Sequence, residues 1–291
     1  MTPDPLLRVV FDRDRGTLDI RQSAISSFMD CRRKFFYEYV LGLEPDYPDR
    51  ARPWSTADTG TGFHVGIGAY YLGNDPLDAV DSWMSEQWPD GDPEKSQRDL
   101  VTIMVEGHVG DLQDQSADVG ETTIGVEVPV TATVTGVNGV DVTIHGQVDR
   151  LIENDEGLLI LDDWKSVTTF AEIDNYLHQL GRYALMVRSS QGWRADRVRT
   201  TQVKRVKRTK GGPFFQRPWS PLSEAAYETH SAGLRAVLSD IVNVVSADGP
   251  WYERYSTECG WKCRSQSICQ ALLRGDDPEL IIELDYRKKQ A

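Results

Sequence analysis

No stretch of this chain approaches the roughly 20 consecutive apolar residues that a membrane-spanning helix needs. Met1 to Thr17 carries charge and no targeting pattern. The expectation is a soluble, cytoplasmic protein of a bacterial cell or a phage-infected host. A phosphate loop of the form Gly-x4-Gly-Lys-Ser/Thr is missing, so an ATP-driven motor would have to be another chain, such as a separate helicase or recombination partner. Internal repeats and low-complexity tracts are missing as well. Positive charge is scarce: 32 Lys and Arg face 45 Asp and Glu, a net charge of −13. A chain so acidic can hold a polyanion only where its basic residues are concentrated. Cysteine is scarce too, with four in 291 residues. Without a secretory leader, disulfides are not expected among them.

What is present begins with 40% hydrophobic residues, enough for one full core. Val140, Val142, Ile144, Val148, Leu151 and Ile152 form an apolar, β-branched stretch. Asn154-Asp155-Glu156-Gly157 then supplies a turn before Leu158-Leu159-Ile160-Leu161. This pattern predicts a β-hairpin with a carboxylate on each arm. Side chains alternate across a strand, so Asp163 and Lys165 share a face and Asp149 comes alongside them. Asp162 is an alternative acid, but alternation turns it to the opposite face. Two converging carboxylates repel unless a divalent cation lies between them, and hard oxygen donors suit Mg²⁺ or Mn²⁺. Such a site activates water and steadies a phosphate in attack, with Lys165 orienting the water or stabilising the developing charge. Gln179 and Tyr183, four apart, share one helix face just after these motifs. Glu127, in an alternating strand before the hairpin, either lines the cleft or faces water.

The four cysteines are Cys31, Cys259, Cys263 and Cys269. Four thiolates are what a [4Fe-4S] cluster takes, with Cys-x3-Cys-x5-Cys wrapping three corners and Cys31 reaching across from the N-terminal helix. A tetrahedral zinc site also takes four thiolates, although the usual Cys-x2-Cys knuckles are missing. Buried free thiols are the third reading.

Arg197, Arg199, Lys204, Arg205, Lys207, Arg208 and Lys210 are interleaved with Val198, Val203 and Val206. They read as a basic strand and loop able to follow a DNA backbone, with Phe214, Phe215 and Trp219 available to stack on unpaired bases. A charged edge strand with core aromatics is the other reading. Residues 225 to 245 predict one long helix.

Taken in order, these motifs resemble the PD-(D/E)XK nuclease superfamily. In particular they resemble its RecB-like exonucleases with an iron-sulfur cluster, which include the AddB nuclease domain and the CRISPR-associated adaptation exonucleases. The resemblance rests on Ser26-Ser27-Phe28-Met29-Asp30-Cys31-Arg32-Arg33-Lys34-Phe35-Phe36-Tyr37, on Gly60-Thr61-Gly62-Phe63-His64, on Gly146-Gln147-Val148-Asp149, on Asp163-Trp164-Lys165, on Gln179 and Tyr183, and on the terminal cysteines. It implies an α/β fold: a restriction-endonuclease-like core with a mixed central sheet flanked by helices, a helical insertion, and an iron-sulfur staple joining the two ends of the chain. A single domain over residues 1–291 is implied. Residues 18–45 hold the first cluster cysteine, 55–120 a helical segment with the metal-ligand histidine, 121–245 the nuclease core, and 246–291 the remaining cluster ligands. His64, Asp149 and Asp163 would hold Mg²⁺ or Mn²⁺, Lys165 would assist the attacking water, and Gln179 with Tyr183 would position the strand. The implied activity is exonucleolytic cleavage of single-stranded DNA or DNA ends, in recombination, repair or processing. The chain departs from the family at Trp164, where Tyr is common, and at Gly68 and Ala69, where an acid often follows the histidine. A noncatalytic DNA-binding accessory protein on the same fold and a zinc-stapled interaction module are the alternatives.

Overall fold

The computed structural model describes residues 9–46, 54–88, 95–209, 212–254, 256–260 and 263–289. Lys210 lies outside these. In chain order the elements are β1 (Val10–Asp12), β2 (Thr17–Arg21), α1 (Gln22–Asp30), α2 (Arg32–Phe35), a π-helical turn over Phe36–Val40, β3 (Leu43–Pro45), α3 (Thr56–Tyr71), α4 (Pro76–Gln87) and α5 (Lys95–Asp114). There follow β4 (Glu121–Val137), β5 (Val140–Asn154), β6 (Leu159–Val167), α6 (Leu177–Gln191), β7 (Arg197–Lys204), β8 (Phe215–Gln216), β9 (Trp219–Pro221), α7 (Glu224–Ser246), α8 (Gln266–Arg274), α9 (Pro278–Asp285) and β10 (Tyr286–Lys288). The long helix expected over 225–245 is α7. Among the described residues no helix is long and apolar enough to cross a membrane.

The chain forms two compact units, each assembled from separated stretches. The first takes its described residues from 1–49, 131–146 and 229–291. In it β1 and β2 pair antiparallel, and β2 runs parallel to the start of β5, from Thr17 opposite Asp141 to Arg21 opposite His145. β3 and β10 pair antiparallel, so both ends of the chain meet in this unit. A small core of Tyr37, Leu43 and Ile268 fixes that meeting, with Ile281 and Ile282 packed on it.

The second unit takes its described residues from 50–130 and 147–228. Its sheet is mixed. The remainder of β5 pairs antiparallel with β6, Arg150 opposite Asp162, and β6 runs parallel to β7, Asp163 opposite Thr200. β8 and β9 pair antiparallel with β7. Parallel β6 and β7 need a crossover, and α6 supplies it. The hairpin turn forms because Asn154 Oδ1 accepts from the backbone N–H groups of Glu156 at 3.1 Å and Leu158 at 2.9 Å. Helix α3 starts in a capping box, in which Ser55 accepts from the Asp58 N–H and Asp58 Oδ2 accepts from the Ser55 N–H at 2.7 Å. α3 packs closely on α4 and α5: a Cβ on Gly66 would lie 2.7 Å from Val105 Cγ2 and 3.0 Å from Val80 Cγ2. Phe63, Ile67, Val80, Met84, Val101, Met104 and Val105 make the core of that contact, and Trp164 of β6 joins it. The expected helical insertion is therefore a packed wall that fixes the register of His64, on α3, relative to β6.

Candidate metal centre and its surroundings

Asp149 and Asp163 lie one residue beyond the last hairpin pair, Arg150 with Asp162, so both project from the same face of the sheet. Both are buried, at 8% and 3% exposure. His64 reaches that face from α3. Its Nε2 lies 2.8 Å from the Trp164 carbonyl oxygen, which can only accept, so Nε2 carries a proton and Nδ1 is the nitrogen that faces the acids. Nδ1 faces Asp149 Oδ1 at 3.5 Å and Glu127 Oε1 at 4.0 Å. Donor atoms of His64, Glu127 and Asp149 all lie within 4.8 Å of one another. The Trp164 N–H donates to Asp149 Oδ2 at 2.6 Å. The backbone of residue 164 therefore orients both the histidine and the aspartate. Its side chain does something else: it is buried and stacks on Tyr71, with centroids 5.7 Å apart and planes 20° apart. The polar contacts to the site come from the backbone at this position, and the indole packs edge-on to the His64 ring, with centroids 5.7 Å apart.

Asp163 pairs with Lys165 through Oδ2, and Gln179 Nε2 donates to its Oδ1 at 3.4 Å. Asp163 thus stands beside the histidine-glutamate-aspartate group and outside its 4.8 Å circle. Tyr183 rises from the same face of α6 as Gln179. Burial first, then the Asp163 and Asp149 charges, push its hydroxyl up to about 12. The Lys165 ammonium also lies 5.9 Å from the centre of the Tyr176 ring, a contact with no motif around it in the sequence.

The titration of the cluster follows from crowded carboxylates. Burial alone would lower His64, but Asp149 beside it holds the imidazole up at about 9. Burial and the Asp149 charge push Glu127 up to about 7. Burial and Asp149 also raise Asp163 against the pull of Lys165. Burial would lower Lys165, yet Asp163 and Asp149 hold it up, so it stays an ammonium. Acids that crowd one another and hold protons are what a divalent cation relieves, and a His, Glu, Asp donor set suits Mg²⁺ or Mn²⁺.

Glu127, which the sequence pattern leaves open between cleft and solvent, lines the cleft. The expected alternation of β4 breaks there: Glu127 has φ of 51°, a conformation that costs an L-residue in a strand about 1–3 kcal/mol. The kink is tight enough that a Cβ on Gly125 would lie 2.5 Å from Val128 Cγ2. A glycine inside a strand pattern is the signal that marks such a bulge. A Cβ on Gly68 would stand 3.9 Å from Glu127 Cγ, so Glu127 covers the helix surface that Gly68 leaves bare.

The opposite face of the sheet corrects the basic-strand reading. Arg199, expected to meet DNA, is 7% exposed and donates to Asp162 Oδ2 at 2.8 Å and to both carboxylate oxygens of Glu121. Asp162 also accepts from Thr201 Oγ1 at 2.8 Å, and Arg150 lies over the Tyr71 ring at 3.7 Å. A guanidinium buried among acids cannot follow a phosphate backbone. Arg208 is paired with Asp111 and Asp114 at 2.6 Å each, and Arg205 donates to the Ser166 carbonyl at 2.9 Å. Arg197 lies over the Trp219 ring at 4.7 Å, and Lys204 over Phe170 at 4.5 Å. Lys207 is exposed. Phe214 is a core residue and Phe215 packs against the same core, leaving Trp219, at 52%, as the exposed member of the aromatic trio.

In the other unit, Cys31, Cys259, Cys263 and Cys269 line one cavity of about 280 Å³ with Lys34, Glu253 and Arg254. No disulfide joins them. The Arg254 N–H donates to Cys31 Sγ at 3.4 Å. Burial pushes the Cys269 thiol up to about 11, against the pull of Arg33 and with Cys263 and Cys31 adding to the rise. Burial raises Cys263 as well.

This arrangement belongs to a known class. The family model of the PD-(D/E)XK nuclease superfamily matches residues 21–270, and the chain belongs to that superfamily. Among solved structures, it is similar to a protein from Eubacterium rectale whose exonuclease designation is provisional. The two share 11% identity and a TM-score of 0.51, over 81% of this chain and 84% of the other. A second crystal structure, that of SSO0001, shares 14% identity over 90% of this chain and 88% of the other, at a TM-score of 0.40. No curated protein matches the chain.

Proposed function

We propose that the protein is a metal-dependent DNA exonuclease, acting on single-stranded DNA or DNA ends in recombination, repair or processing. The observation that carries the reading is the convergence of His64, Glu127 and Asp149 beside the Asp163–Lys165 pair in a superfamily of nucleases. His64, Glu127 and Asp149, with Asp163 adjacent, would hold Mg²⁺ or Mn²⁺; such an ion polarises a phosphoryl oxygen and lowers the pKa of water. Lys165, fixed by Asp163, presents an ammonium to the developing charge on the phosphate. Gln179 locks Asp163 and, with Tyr183, holds the strand against the site. No nucleotide-triphosphate loop occurs in the sequence, so strand opening falls to a separate helicase.

For the cysteines we favour a structural [4Fe-4S] cluster over zinc. The four thiols line one cavity, and the Cys-x2-Cys knuckles usual in zinc sites do not occur among them. The two classes of thiol ligation separate by iron and zinc analysis of the anaerobically purified protein.

The test of function is cleavage of linear and of closed circular single strands, with Mg²⁺, Mn²⁺ or EDTA. An exonuclease with metal degrades the linear strand and spares the circle. Loss of both substrates identifies an endonuclease, and binding without cleavage of either identifies the noncatalytic accessory protein.

A further inference from the structure

Glu127 occupies an unfavourable backbone conformation in the middle of a strand, with φ of 51°, and something must hold it there. The side chain that does so is Gln147. Its Nε2 donates to Glu127 Oε2 at 2.6 Å and to the Glu127 carbonyl oxygen at 3.3 Å. These two bonds close a clamp around one residue, fixing its backbone and its carboxylate together. They also divide the carboxylate. Oε2 is held by the amide, and Oε1 is the oxygen that faces His64 Nδ1 at 4.0 Å. Gln147 lies two residues before Asp149 on β5, on the same face, so one strand supplies a ligand and the group that aims its neighbour. Its amide nitrogen has no lone pair to give an ion, and an amide cannot repel the acids around it.

We propose that Gln147 is the positioning residue of the metal centre: by clamping Glu127 across β4 and β5, it turns Glu127 Oε1 onto the ion held with His64 and Asp149. The proposal rests on the metal-centre reading above. Groups that orient metal ligands from behind typically contribute 10- to 100-fold in metal affinity, and that is the size of effect the clamp predicts.

The experiment is Mn²⁺ titration by calorimetry of the full chain, for the wild type, Gln147→Met, Glu127→Gln and the double variant. Methionine keeps the length of the side chain and removes the amide. Gln147→Met should bind Mn²⁺ about 10- to 100-fold more weakly, while it still unfolds in one cooperative thermal transition in EDTA. A residue acting through Glu127 has nothing left to do once the carboxylate is gone, so the double variant should bind as Glu127→Gln does. If Gln147→Met misfolds, Gln147→Asn, whose shorter amide cannot reach Glu127, takes its place in the cycle. Unchanged Mn²⁺ affinity in the Gln147 variant, or additive losses in the double variant, overturns the proposal. A wild type that binds no Mn²⁺ overturns the metal centre itself and the proposal with it.

Discussion

Replacing Arg199 with methionine separates two physical roles for one side chain. As a phosphate contact, Arg199 would contribute about one unit to the salt slope of DNA binding and little to stability. As the structure has it, Arg199 neutralises Asp162, which is fully buried, and Glu121. Removing one partner of a buried pair costs about 3–5 kcal/mol when no other countercharge is near. Arg150, 4.0 Å from Asp162 and 3.4 Å from Glu121, remains, so the loss falls towards the lower end, about 3 kcal/mol, against a typical total of about 5–15 kcal/mol. With a urea m-value of about 3 kcal/mol/M, the unfolding midpoint falls by about 1 M. The loss should also depend on pH. Burial alone would raise the Asp162 carboxyl, and Arg199 overrides it and holds the group below its usual range. Without Arg199 the largest opposing charge is gone, and burial raises the folded pKa from its depressed position. The deficit is then largest at neutral pH and narrows as acid protonates Asp162. Urea titration followed by tryptophan fluorescence at two pH values measures this, alongside the salt dependence of binding to a single strand. A variant as stable as the wild type, with the salt slope reduced by about one, would refute the buried-network account and restore the DNA contact.

Three further outcomes follow from the geometry. Glu127, held up at about 7 by burial and Asp149, and His64, held at about 9 by Asp149, must lose their protons to bind a cation. Mn²⁺ affinity should therefore climb between about pH 6 and about pH 8.5, and equal affinity at both ends would contradict the ligand set. Gly66→Ala should lower thermal stability by about 1–3 kcal/mol, despite the better helix propensity of alanine, because its Cβ would meet Val105 at 2.7 Å; a more stable variant would show that α3 and α5 are not so close. Cys263→Ala, purified anaerobically, should lose iron, visible absorption and stability together, and intact cluster absorption in that variant would remove Cys263 from the ligands.

Strand periodicity makes the hairpin legible in the sequence. A period of two places Asp163 with Lys165 and puts Asp162 behind, and the hydrogen bonds of Asp162 to Arg199 and Thr201 agree. The single long helix α7 is legible for a similar reason. The basic strand misleads because counting charges ignores which face each one takes. Arg199 lies opposite Asp162 in the β6–β7 register, and its second acid, Glu121, comes from a strand 78 residues away. Glu127 is undecided at the level of sequence because alternation does not carry through a bulge, and one glycine, Gly125, allows that bulge. Trp164 reads as a departure in a motif, yet the site draws on its backbone N–H and C=O, which every residue type other than proline carries. The meeting of Cys31 with the three late cysteines is made by contacts more than 200 residues apart in the chain, such as Arg254 N–H to Cys31 Sγ and Arg33 to the Trp251 carbonyl, which spacing alone does not encode.

The most direct test of the metal-dependent nuclease is cleavage of end-labelled single-stranded and duplex DNA by the wild type and by Asp163→Ala, with Mg²⁺ or Mn²⁺ and with EDTA. The account predicts metal-dependent degradation by the wild type, abolished by EDTA and by Asp163→Ala in a variant that still folds. Cleavage that persists in Asp163→Ala, or in EDTA, would contradict it.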